Sequence, residues 1–576
     1  MAYGFDRGRF HENKRAVEDK YLGPLIKTEM NRCIHCTRCI RFATEVAGVP
    51  ELGATGRGED MEVGTYVEKA LSSELSGNII DLCPVGALTS KPYAFVARPW
   101  ELRKTETIDV MDAMGSSIRV DSRGNEVMRV LPRLNEEINE EWISDKTRFA
   151  CDGLRHQRLD RPYVRDRGKL RPGSWDEAFA TIAKRVHGLD GNHIAAIAGD
   201  LADCESMIAL KDLMTALGSP HTDCRQDGAK LEAGPRASYL FNSSFLGIED
   251  AGACLMIGAN PRIEAPVLNA RIRKCRQAGT LKVGVVGPEA DLTYGYEHLG
   301  NDPAVLEQIA SGEHPFAKVL RDSDRPMLIL GMGALTRDDG GVILGLAHGI
   351  VESCGLIDPE TGWNGFNVLH TAAARVGGMD LGFLPGEQGR DVAGIFAGAE
   401  SGDIEVVYLL GADEIPMERL GKAFVIYQGH HGDAGAHRAD VILPGAAYTE
   451  KNATYVNTEG RVQRATRACE PPGNAREDWA ILRALSKVLG HTLPMDTLEQ
   501  ARGRLVDVNA VFATWNTVEP GAWGGFGQQG KPSSAPFKPA VANFYMTNAI
   551  CRASPTMAQC VEAFVNDEAR KTGTHG

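Results

Sequence analysis

Three cysteines in the segment MNRCIHCTRCIRF, residues 30–42, follow one another with two residues between neighbours. They are Cys33, Cys36 and Cys39. Thiolates are soft ligands, so a close triplet of them indicates a loop that binds a soft metal centre. Because zinc sites and iron-sulfur clusters commonly use four protein ligands, the chain should supply a fourth ligand elsewhere.

The fourth ligand is predicted to be Cys83 in the segment NIIDLCPVGAL. Cys83 ends an apolar run and is followed by Pro84, which opens a turn. Bacterial ferredoxins bind clusters with C-x2-C-x2-C and a separate Cys-Pro pair, and this chain contains both parts of that pattern. One [4Fe-4S] cluster is therefore predicted on four ligands: Cys33, Cys36, Cys39 and Cys83.

Zinc is the alternative occupant of these cysteines. Structural zinc sites usually take two ligands from each of two separated knuckles, which fits a triplet plus one distant cysteine less well. His35 lies inside the triplet and is predicted not to be a ligand. Three arginines, Arg32, Arg38 and Arg41, surround the motif, and positive charge near a cluster raises its reduction potential.

Composition limits the class of protein. A chain of 576 residues predicts about three or four domains. The net charge of −13 and the absence of a basic block argue against a nucleic-acid partner. No apolar run approaches the ~20 residues of a membrane helix, so membrane contact is expected only through other subunits. The first 20 residues do not resemble a secretory signal.

Thirteen cysteines without a signal sequence indicate a reducing compartment. Six of them stand singly in apolar sequence and are predicted to pack in the core. These are Cys204, Cys254, Cys275, Cys354, Cys551 and Cys560.

The chain resembles the large iron-sulfur subunit of respiratory complex I, the 75-kDa type, in its mitochondrial and alphaproteobacterial form. The segments RCIHCTRCIRFATEVAGVPELGATGRGEDMEV, INEEWISDKTRFACDGL and NFYMTNAICRASPTMAQCVEAF carry the resemblance, which covers essentially the whole chain. The resemblance implies an electron-transfer subunit of NADH:quinone oxidoreductase that relays electrons from the NADH- and flavin-binding subunit toward quinone, with no complete active site of its own. The other peripheral-arm subunits are its implied partners. Its implied place is peripheral, on the cytoplasmic face of the bacterial inner membrane or the matrix side of the mitochondrial one.

The chain departs from this family at its beginning. Family members start with a [2Fe-2S] ferredoxin domain and a [4Fe-4S] site with one histidine and three cysteines. No cysteine precedes Cys33, so these further clusters are expected only in a missing upstream region or on another polypeptide.

A second, degenerate cluster motif is predicted in TIDVMDAMGSSIRV. Molybdopterin oxidoreductases place C-x2-C-x3-C there, and this chain has Asp109, Asp112 and Ser116 at the same spacing. Cys151 remains where the distant fourth ligand would lie. Carboxylates and a hydroxyl are poor substitutes for thiolates, so a scaffold without a cluster is predicted. In the alternative interpretation the match is coincidental and Cys151 only packs.

The long middle part of the chain has the alternating pattern of an α/β fold. Ser174 and Glu177 predict an N-cap with a capping box. Strand-like runs alternate with amphipathic helices in HIAAIAG, ACLMIG, LKVGVVG, PMLILG and EVVYLLG, which indicates a parallel, doubly wound sheet. The segments CLMIGANPRIEAP and VYLLGADEIP form a weak internal repeat, as expected of two related lobes.

This body resembles molybdopterin oxidoreductases, notably at HRADVILPGAAYTEKNATYVNTEGRVQ. The resemblance there includes seven residues: Glu450, Lys451, Asn457, Glu459, Gly460, Arg461 and Gln463. No molybdopterin is expected, because only Cys224 could replace the metal ligand and the complex I family lacks the cofactor. Gly331 and Gly333 form an incomplete dinucleotide fingerprint, so NAD binding is not predicted. His430, His431 and His437 are predicted to lie in a polar loop, with a metal site as the alternative.

Four domains are predicted in total: a cluster domain at 1–97, a small cluster-less domain at 98–160, the α/β body at 161–515 and an extended tail at 516–576. The tail is rich in Gly, Pro and Ser and is expected to have no core of its own, though residues 544–565 could dock elsewhere. Two functions remain as alternatives: a molybdenum oxidoreductase similar to formate dehydrogenase, and a structural subunit with a vestigial cluster.

Overall fold

The computed structural model describes residues 4, 8, 9, 11, 16–65 and 69–566. The first 20 residues, which are predicted not to be a secretory signal, lie largely outside the described residues. The end of the predicted tail also lies outside them. Within the described ranges, none of the helices has the length and hydropathy of a membrane span.

The N-terminal domain consists of two small antiparallel ribbons and two short helices. Its elements are β1 (Ile26–Thr28), α1 (Arg38–Arg41), β2 (Gly53–Thr55), β3 (Glu62–Gly64), α2 (Asn78–Leu82) and β4 (Leu88–Ser90). β1 pairs with β4, and Thr28 lies opposite Leu88. Because the cysteine triplet follows β1 and Cys83 precedes β4, this pairing brings the two predicted halves of the site together.

A three-stranded antiparallel sheet forms the small domain. Its elements are β5 (Arg103–Ile108), β6 (Ser117–Arg123), β7 (Glu126–Pro132) and α3 (Asp145–Phe149). Gly124, with φ of 60°, begins the two-residue turn between β6 and β7, where a left-handed first residue matches the strand twist.

The body contains most of the regular structure. Its strands are β8 (Tyr163–Asp166), β9 (Lys169–Pro172), β10 (Ile194–Ala198), β11 (His221–Asp223), β12 (Ala253–Ile257), β13 (Lys282–Val286), β14 (Glu297–Gly300), β15 (Met327–Gly331), β16 (Ile357–Asp358), β17 (Trp363–Asn364), β18 (Phe366–Leu369), β19 (Val406–Leu410), β20 (Phe424–Gly429), β21 (Val441–Pro444), β22 (Ala453–Val456) and β23 (Val462–Ala465). Its helices are α4 (Trp175–Val186), α5 (Cys204–Ala216), α6 (Pro261–Glu264), α7 (Pro266–Ala278), α8 (Ala304–Ser311), α9 (Pro315–Arg321), α10 (Met332–Leu335), α11 (Gly340–Cys354), α12 (Arg375–Asp380), α13 (Val392–Ser401), α14 (Ala434–Arg438), α15 (Asp478–Val488) and α16 (Leu498–Val508).

Two parallel sheets carry the body. The first has the order β11-β10-β19-β20-β21-β8-β9, in which β8 and β9 form an antiparallel edge hairpin. The second has the order β14-β13-β12-β15-β18 and is parallel throughout. The five predicted strands are confirmed as β10, β12, β13, β15 and β19. The predicted internal repeat falls on β12 and β19, which lie inside different sheets, so each belongs to its own lobe.

The predicted start of α4 is confirmed, but the capping box is only half formed. Ser174 Oγ accepts a hydrogen bond from the backbone N–H of Glu177 at 3.1 Å. The Glu177 carboxylate instead forms an ion pair with Arg171. A full charge on Arg171 is a stronger partner than the backbone N–H of the N-cap residue, which explains the difference.

The C-terminal segment packs against its own chain. It follows an irregular path to α17 (Ala549–Ala553) and α18 (Pro555–Cys560). A hydrophobic core that includes Ile79, Val120, Met256 and Ile550 joins the N-terminal domain, the small domain, the second sheet and this segment. The segment therefore completes a core shared with three other regions, which agrees with the expectation that it forms no core of its own.

Candidate iron-sulfur site

Two residues with left-handed backbone turn the loop that carries the cysteine triplet. Cys33 follows a single helical turn, and His35 and Thr37 have φ of 53° and 60°. Residues other than glycine rarely adopt this conformation. Where a left-handed residue lies next to a right-handed one, their successive backbone N–H groups point into the same concave space. Such a space suits an anionic group. The loop therefore has a shape that can hold an anionic group beside its thiols.

Cys83 is positioned by the end of α2. Its backbone N–H donates to the carbonyl of Ile79 at 3.1 Å, and Pro84 cannot continue the helix. At the other end of α2, the Asp145 carboxylate accepts from the backbone N–H of Gly77 at 2.6 Å. Because Asp145 belongs to the small domain, that domain fixes the helix that presents Cys83.

Three of the predicted ligands lie within electrostatic reach of the fourth, Cys39. The pKa of Cys39 is raised to about 11, mainly by burial and also by the charges of Cys33, Cys36 and Cys83, while the backbone N–H of Ile40 lowers it. Mutual repulsion among thiolates favours protonated thiols until a cationic centre replaces the protons. The donor set therefore fits an iron-sulfur group.

Throughout the part of the chain that the structure describes, no three His, Cys, Asp or Glu side chains are arranged to hold a single metal ion. This finding includes the four predicted cysteine ligands.

Two of the three arginines near the triplet have acidic partners. Arg32 lies 2.8 Å from Glu29, and Arg41 lies 3.1 Å from Glu45. Their positive charges are partly neutralised, so we expect a smaller increase in the potential of a bound cluster than the sequence alone predicts.

The degenerate motif forms a buried turn between β5 and β6. Asp109, Asp112 and Ser116 are each at most 2% exposed. Asp109 Oδ2 accepts from the Thr147 hydroxyl at 2.9 Å, and its backbone N–H donates to the carbonyl of Ser116. Cys151 is partly buried and lines a cavity of about 530 Å³ between the small domain and the N-terminal domain. The Cys151 thiol therefore faces a cavity as well as the neighbouring core residues.

Four family models match successive parts of the chain. NADH-quinone oxidoreductase subunit 3, ferredoxin-like domain, matches residues 23–89, and NADH-ubiquinone oxidoreductase NDSU1/NuoG-like, 4Fe-4S domain, matches residues 102–152. Molybdopterin oxidoreductase matches residues 158–488, and a model for the C-terminal part of an NADH-ubiquinone oxidoreductase subunit matches residues 517–560.

Three relatives resemble nearly all of the chain. The NADH-ubiquinone oxidoreductase 78 kDa subunit, mitochondrial, of Neurospora crassa is 51% identical over 100% of this chain and 77% of its own length. The NADH-ubiquinone oxidoreductase 75 kDa subunit of Reclinomonas americana is 50% identical over 97% and 83%. The mitochondrial NADH dehydrogenase (ubiquinone) iron-sulfur protein 1 of Solanum tuberosum is 51% identical over 97% and 75%. The chain belongs to the 75-kDa subunit family of NADH-ubiquinone oxidoreductase. In this member of the 75-kDa subunit family, residues 102–152 contain Cys151 as their single cysteine.

The body of this 75-kDa-type chain has a molybdopterin-oxidoreductase-like fold. Acetylene hydratase from Pelobacter acetylenicus superposes with a TM-score of 0.50 over 68% of this chain and 70% of that structure, at 14% identity. The predicted fold class is thus confirmed: ferredoxin-like N-terminal structure followed by a molybdopterin-oxidoreductase-like α/β body.

The residues that resemble the molybdopterin enzymes form internal contacts in this 75-kDa-type chain. Glu450 accepts two hydrogen bonds from Arg158, at 2.5 and 2.6 Å. Lys451 Nζ lies 2.6 Å from Asp203 Oδ2 and donates to Asp478 Oδ2 at 2.8 Å. These partners are far apart in the sequence, so sequence analysis could not identify the ion pairs.

Other residues from the same segment hold the degenerate motif in place. Gln463 Nε2 donates to the carbonyl of Gly115 at 2.8 Å, and Asn457 Nδ2 donates to the carbonyl of Met114 at 3.0 Å. Arg461 forms ion pairs with Glu459 at 2.8 Å and with Glu137 of the small domain at 2.6 Å. The segment therefore joins the body to the small domain.

The prediction of a polar loop is wrong for two of the three histidines. His431 is fully buried, and its Nδ1 lies 2.5 Å from Nδ1 of His430. Burial lowers the pKa of both rings, so they are neutral at physiological pH. His437 is exposed on α14. The pair is buried because it follows β20 directly, inside the first sheet.

The remaining predicted positions have structural explanations. A Cβ on Gly331 or Gly333 would lie 2.5 or 2.7 Å from the carbonyl oxygen of Gly258, so both glycines permit close packing between the loops that follow β12 and β15. Cys224 is buried, and burial raises its pKa to about 12. The six cysteines assigned to the core are all buried, as predicted.

We expect replacement of Asp109 by Asn to reduce the loss of stability with rising pH. Burial raises the pKa of Asp109 from 3.8 to about 7, the charge of Asp112 raises it further, and Thr147, the backbone N–H of Met111 and Lys146 lower it. The folded chain therefore binds this proton more tightly than the unfolded chain. The contribution of Asp109 to the free energy of unfolding is fully present below pH ~4. It is lost as the pH rises toward about 7.

Thermal unfolding at pH 5 and pH 8 tests this prediction. The difference between the two apparent melting temperatures should be smaller for Asp109→Asn than for the parent chain by a few degrees. Asp496→Asn, at a side chain 72% exposed, is the control and should leave the difference unchanged. Equal pH differences in Asp109→Asn and the parent would contradict a raised pKa at Asp109.

Proposed function

We propose that this chain is an electron-transfer subunit of NADH:quinone oxidoreductase that relays electrons from the NADH/flavin subunit toward quinone through one [4Fe-4S] cluster. The observation that carries the proposal is the pairing of β1 with β4, which brings the loop of Cys33, Cys36 and Cys39 beside Cys83. Family membership supports the assignment to this enzyme, because the names of the relatives specify NADH and ubiquinone.

The four thiolates would bind the cluster, which supplies one-electron transfer when bound. Each thiolate binds a different iron of a cubane, so the sulfur atoms lie further apart than around one zinc ion. The ligand pattern of a close triplet with one distant cysteine supports a cluster over zinc, because structural zinc sites usually take two ligands from each of two separated knuckles. The backbone of the loop turns around this region and can donate N–H groups to it.

We propose that the small domain holds no cluster. Its family model is named for a 4Fe-4S domain, but Asp109, Asp112 and Ser116 replace three of the soft ligands. Hard oxygen ligands bind iron-sulfur clusters poorly. The buried Asp109 carboxyl also has a hydrogen-bond partner in Thr147, so it serves the packing of the turn.

A molybdopterin-dependent oxidoreductase is the second candidate, because the body matches the molybdopterin oxidoreductase model over residues 158–488. We propose that no molybdopterin is bound. The ion pairs of Glu450 and Lys451 use their charges internally, and residues 540–548 line the crevice between the sheets.

The remaining assignments follow from this role. We propose domain boundaries after residues 97, 160 and 515. The first and third fall between matched family models, whereas residue 160 lies just inside the match at residues 158–488. The proposed partners are the other peripheral-arm subunits, with membrane contact only through the assembled complex and no nucleic acid. The proposed place is peripheral, on the cytoplasmic side of the bacterial inner membrane or the matrix side of the mitochondrial one.

Metal analysis tests the proposal. We expect the anaerobically purified chain to contain about four iron and four sulfide and no molybdenum, because one set of four thiolates is complete. Cys36→Ser should lose the iron. Cys151→Ser is the matched control and should keep it, with a stability change of about 1 kcal/mol or less.

Four results would contradict this assignment. Eight iron per chain would mean that the small domain also holds a cluster. Stoichiometric zinc would replace iron-sulfur chemistry, and stoichiometric molybdenum would favour the second candidate. Loss of iron from Cys151→Ser would show that the assignment of ligands is wrong.

A further inference from the structure

A cavity of about 340 Å³ lies where the two parallel sheets present the carboxyl ends of their strands. Asp200 follows β10, Glu264 ends the helix after β12, Met332 follows β15 and Glu414 follows β19. In open α/β sheets this crevice is the usual position for a ligand. The cavity is separate from the four cysteines, so its occupant does not depend on the proposed cluster.

The C-terminal segment covers this cavity. Residues 540–543 and 546–548 form part of its wall. Arg552 holds the segment in place, because it donates to Asp433 at 2.6 Å and to Glu414 at 2.7 Å. Lys146 of the small domain donates to the Thr547 hydroxyl at 3.1 Å. The cavity is therefore enclosed by three separate regions of the chain.

Glu264 presents an unpartnered acceptor in this enclosed space. The residue is only 2% exposed. Oε1 accepts from the backbone N–H of Asn260 at 3.1 Å, whereas Oε2 is buried without a hydrogen-bond partner among the described residues. Asp200 Oδ1 is in the same situation. Leaving buried acceptors unpaired is unfavourable, so a donor at this position would stabilise the structure.

The charges around the cavity favour a positive ligand, because four carboxylates line it and the lining includes one ammonium group, that of Lys146. Asp227 and Glu414 have arginine partners, Arg375 at 2.8 Å and Arg552 at 2.7 Å. Within the described residues, Glu264 and Asp200 have no such ion pair. Burial raises the pKa of each to about 7, with the charges of Glu414 and Asp227 adding to the effect at Asp200.

The rest of the wall is suited to an organic body rather than a bare ion. Val110, Met111, Ile263, Met332 and Val541 supply apolar surface. Across the described ranges, no three carboxylate, imidazole or thiol side chains are arranged around an ion. A ligand with a cationic nitrogen and an apolar portion satisfies both parts of the wall.

We propose that this cavity binds a small organic cation whose ammonium or guanidinium N–H groups donate to Glu264 and Asp200 while its apolar portion contacts the methionine and aliphatic side chains. The C-terminal segment retains the ligand by closing the crevice above it.

Isothermal titration of the full chain in an amine-free buffer tests this proposal. The probes are 2-phenylethylamine and agmatine, with 2-phenylethanol as the neutral analogue and potassium chloride as the inorganic cation. We expect saturable binding of at least one amine, and no saturable binding of the alcohol or of potassium. Glu264→Gln, which keeps Oε1 as an acceptor, should weaken amine binding about tenfold or more. Asp200→Asn should weaken it in the same direction.

Matched controls make each outcome decisive. Glu470→Gln, at a side chain 66% exposed in another part of the molecule, should bind the amine as the parent does. Circular dichroism must show that each variant is folded. The proposal is overturned if neither amine binds saturably, if alcohol or potassium binds equally well, or if folded Glu264→Gln and Asp200→Asn both retain the parent affinity.

Discussion

Replacing Cys83 with Ala should stop electron flow from NADH to quinone in the assembled complex while leaving NADH oxidation by an artificial acceptor at the flavin largely intact. In the proposed assignment, the flavin lies on another subunit, upstream of the relay. A cluster that loses one of four thiolates is lost or shifted in potential, which interrupts transfer beyond it. Cys83 is the ligand fixed by α2 and the small domain, so the triplet cannot replace it by a local rearrangement.

The two activities should be measured on the same purified complex. Subunit composition must be unchanged, because a cluster also contributes folding free energy to residues 30–90. Cys354→Ala removes a buried thiol on α11, away from the site, and should keep both activities. Normal quinone reduction by an assembled Cys83→Ala complex shown to lack the cluster would exclude an obligatory relay and favour a structural subunit.

Replacing Lys451 with Met should destabilise the chain by about 3–5 kcal/mol, the usual cost of removing one partner from a buried ion pair. Burial alone would lower the pKa of Lys451, but the charges of Asp203 and Asp478 outweigh it and keep the ammonium charged. The three side chains are between 2% and 7% exposed. Without the ammonium, two carboxylates remain close together with little solvent.

Urea and thermal unfolding of the full chain measure this effect. Arg185→Met breaks a pair with Glu405 in which both side chains are more than a third exposed, and it should cost no more than about 1 kcal/mol. Combining Lys451→Met with Asp203→Asn and Asp478→Asn should restore part of the lost stability, because the amides carry no charge. Similar midpoints for Lys451→Met and Arg185→Met would show that this buried charge network contributes little.

The sequence predicts those parts of the molecule that depend on local patterns. The cysteine spacing, the strands around Ile197 and Val407, and the buried single cysteines each follow from neighbouring residue types. The pairs Arg158–Glu450 and Lys451–Asp203 do not, because the partners meet only after both sheets have formed. Burial of His430 and His431 was also missed, since a run of polar and small residues resembles a loop whether or not other segments cover it.

The domain boundaries illustrate the same limit. Changes in composition near residues 97, 160 and 515 suggest separate units. The structure nevertheless joins these units through Asp145, which binds α2, and through Asp152, which accepts from the Thr556 backbone at 3.1 Å. Such contacts depend on shape complementarity between segments that are distant in the sequence. The order of polar and apolar residues along the chain does not show which segments fit together.

The order of strands in the first sheet has a consequence for biosynthesis. β10 pairs with β19, and the whole second sheet is encoded between them. As the chain leaves the ribosome, the second sheet can fold first, whereas β10 and β11 must wait for their partner. The small domain waits longer still, because Asp152 and Lys146 bind Thr556 and Thr547. Since the small domain holds the helix that presents Cys83 through Asp145, the proposed cluster site would stay accessible for loading until those C-terminal residues have been synthesised.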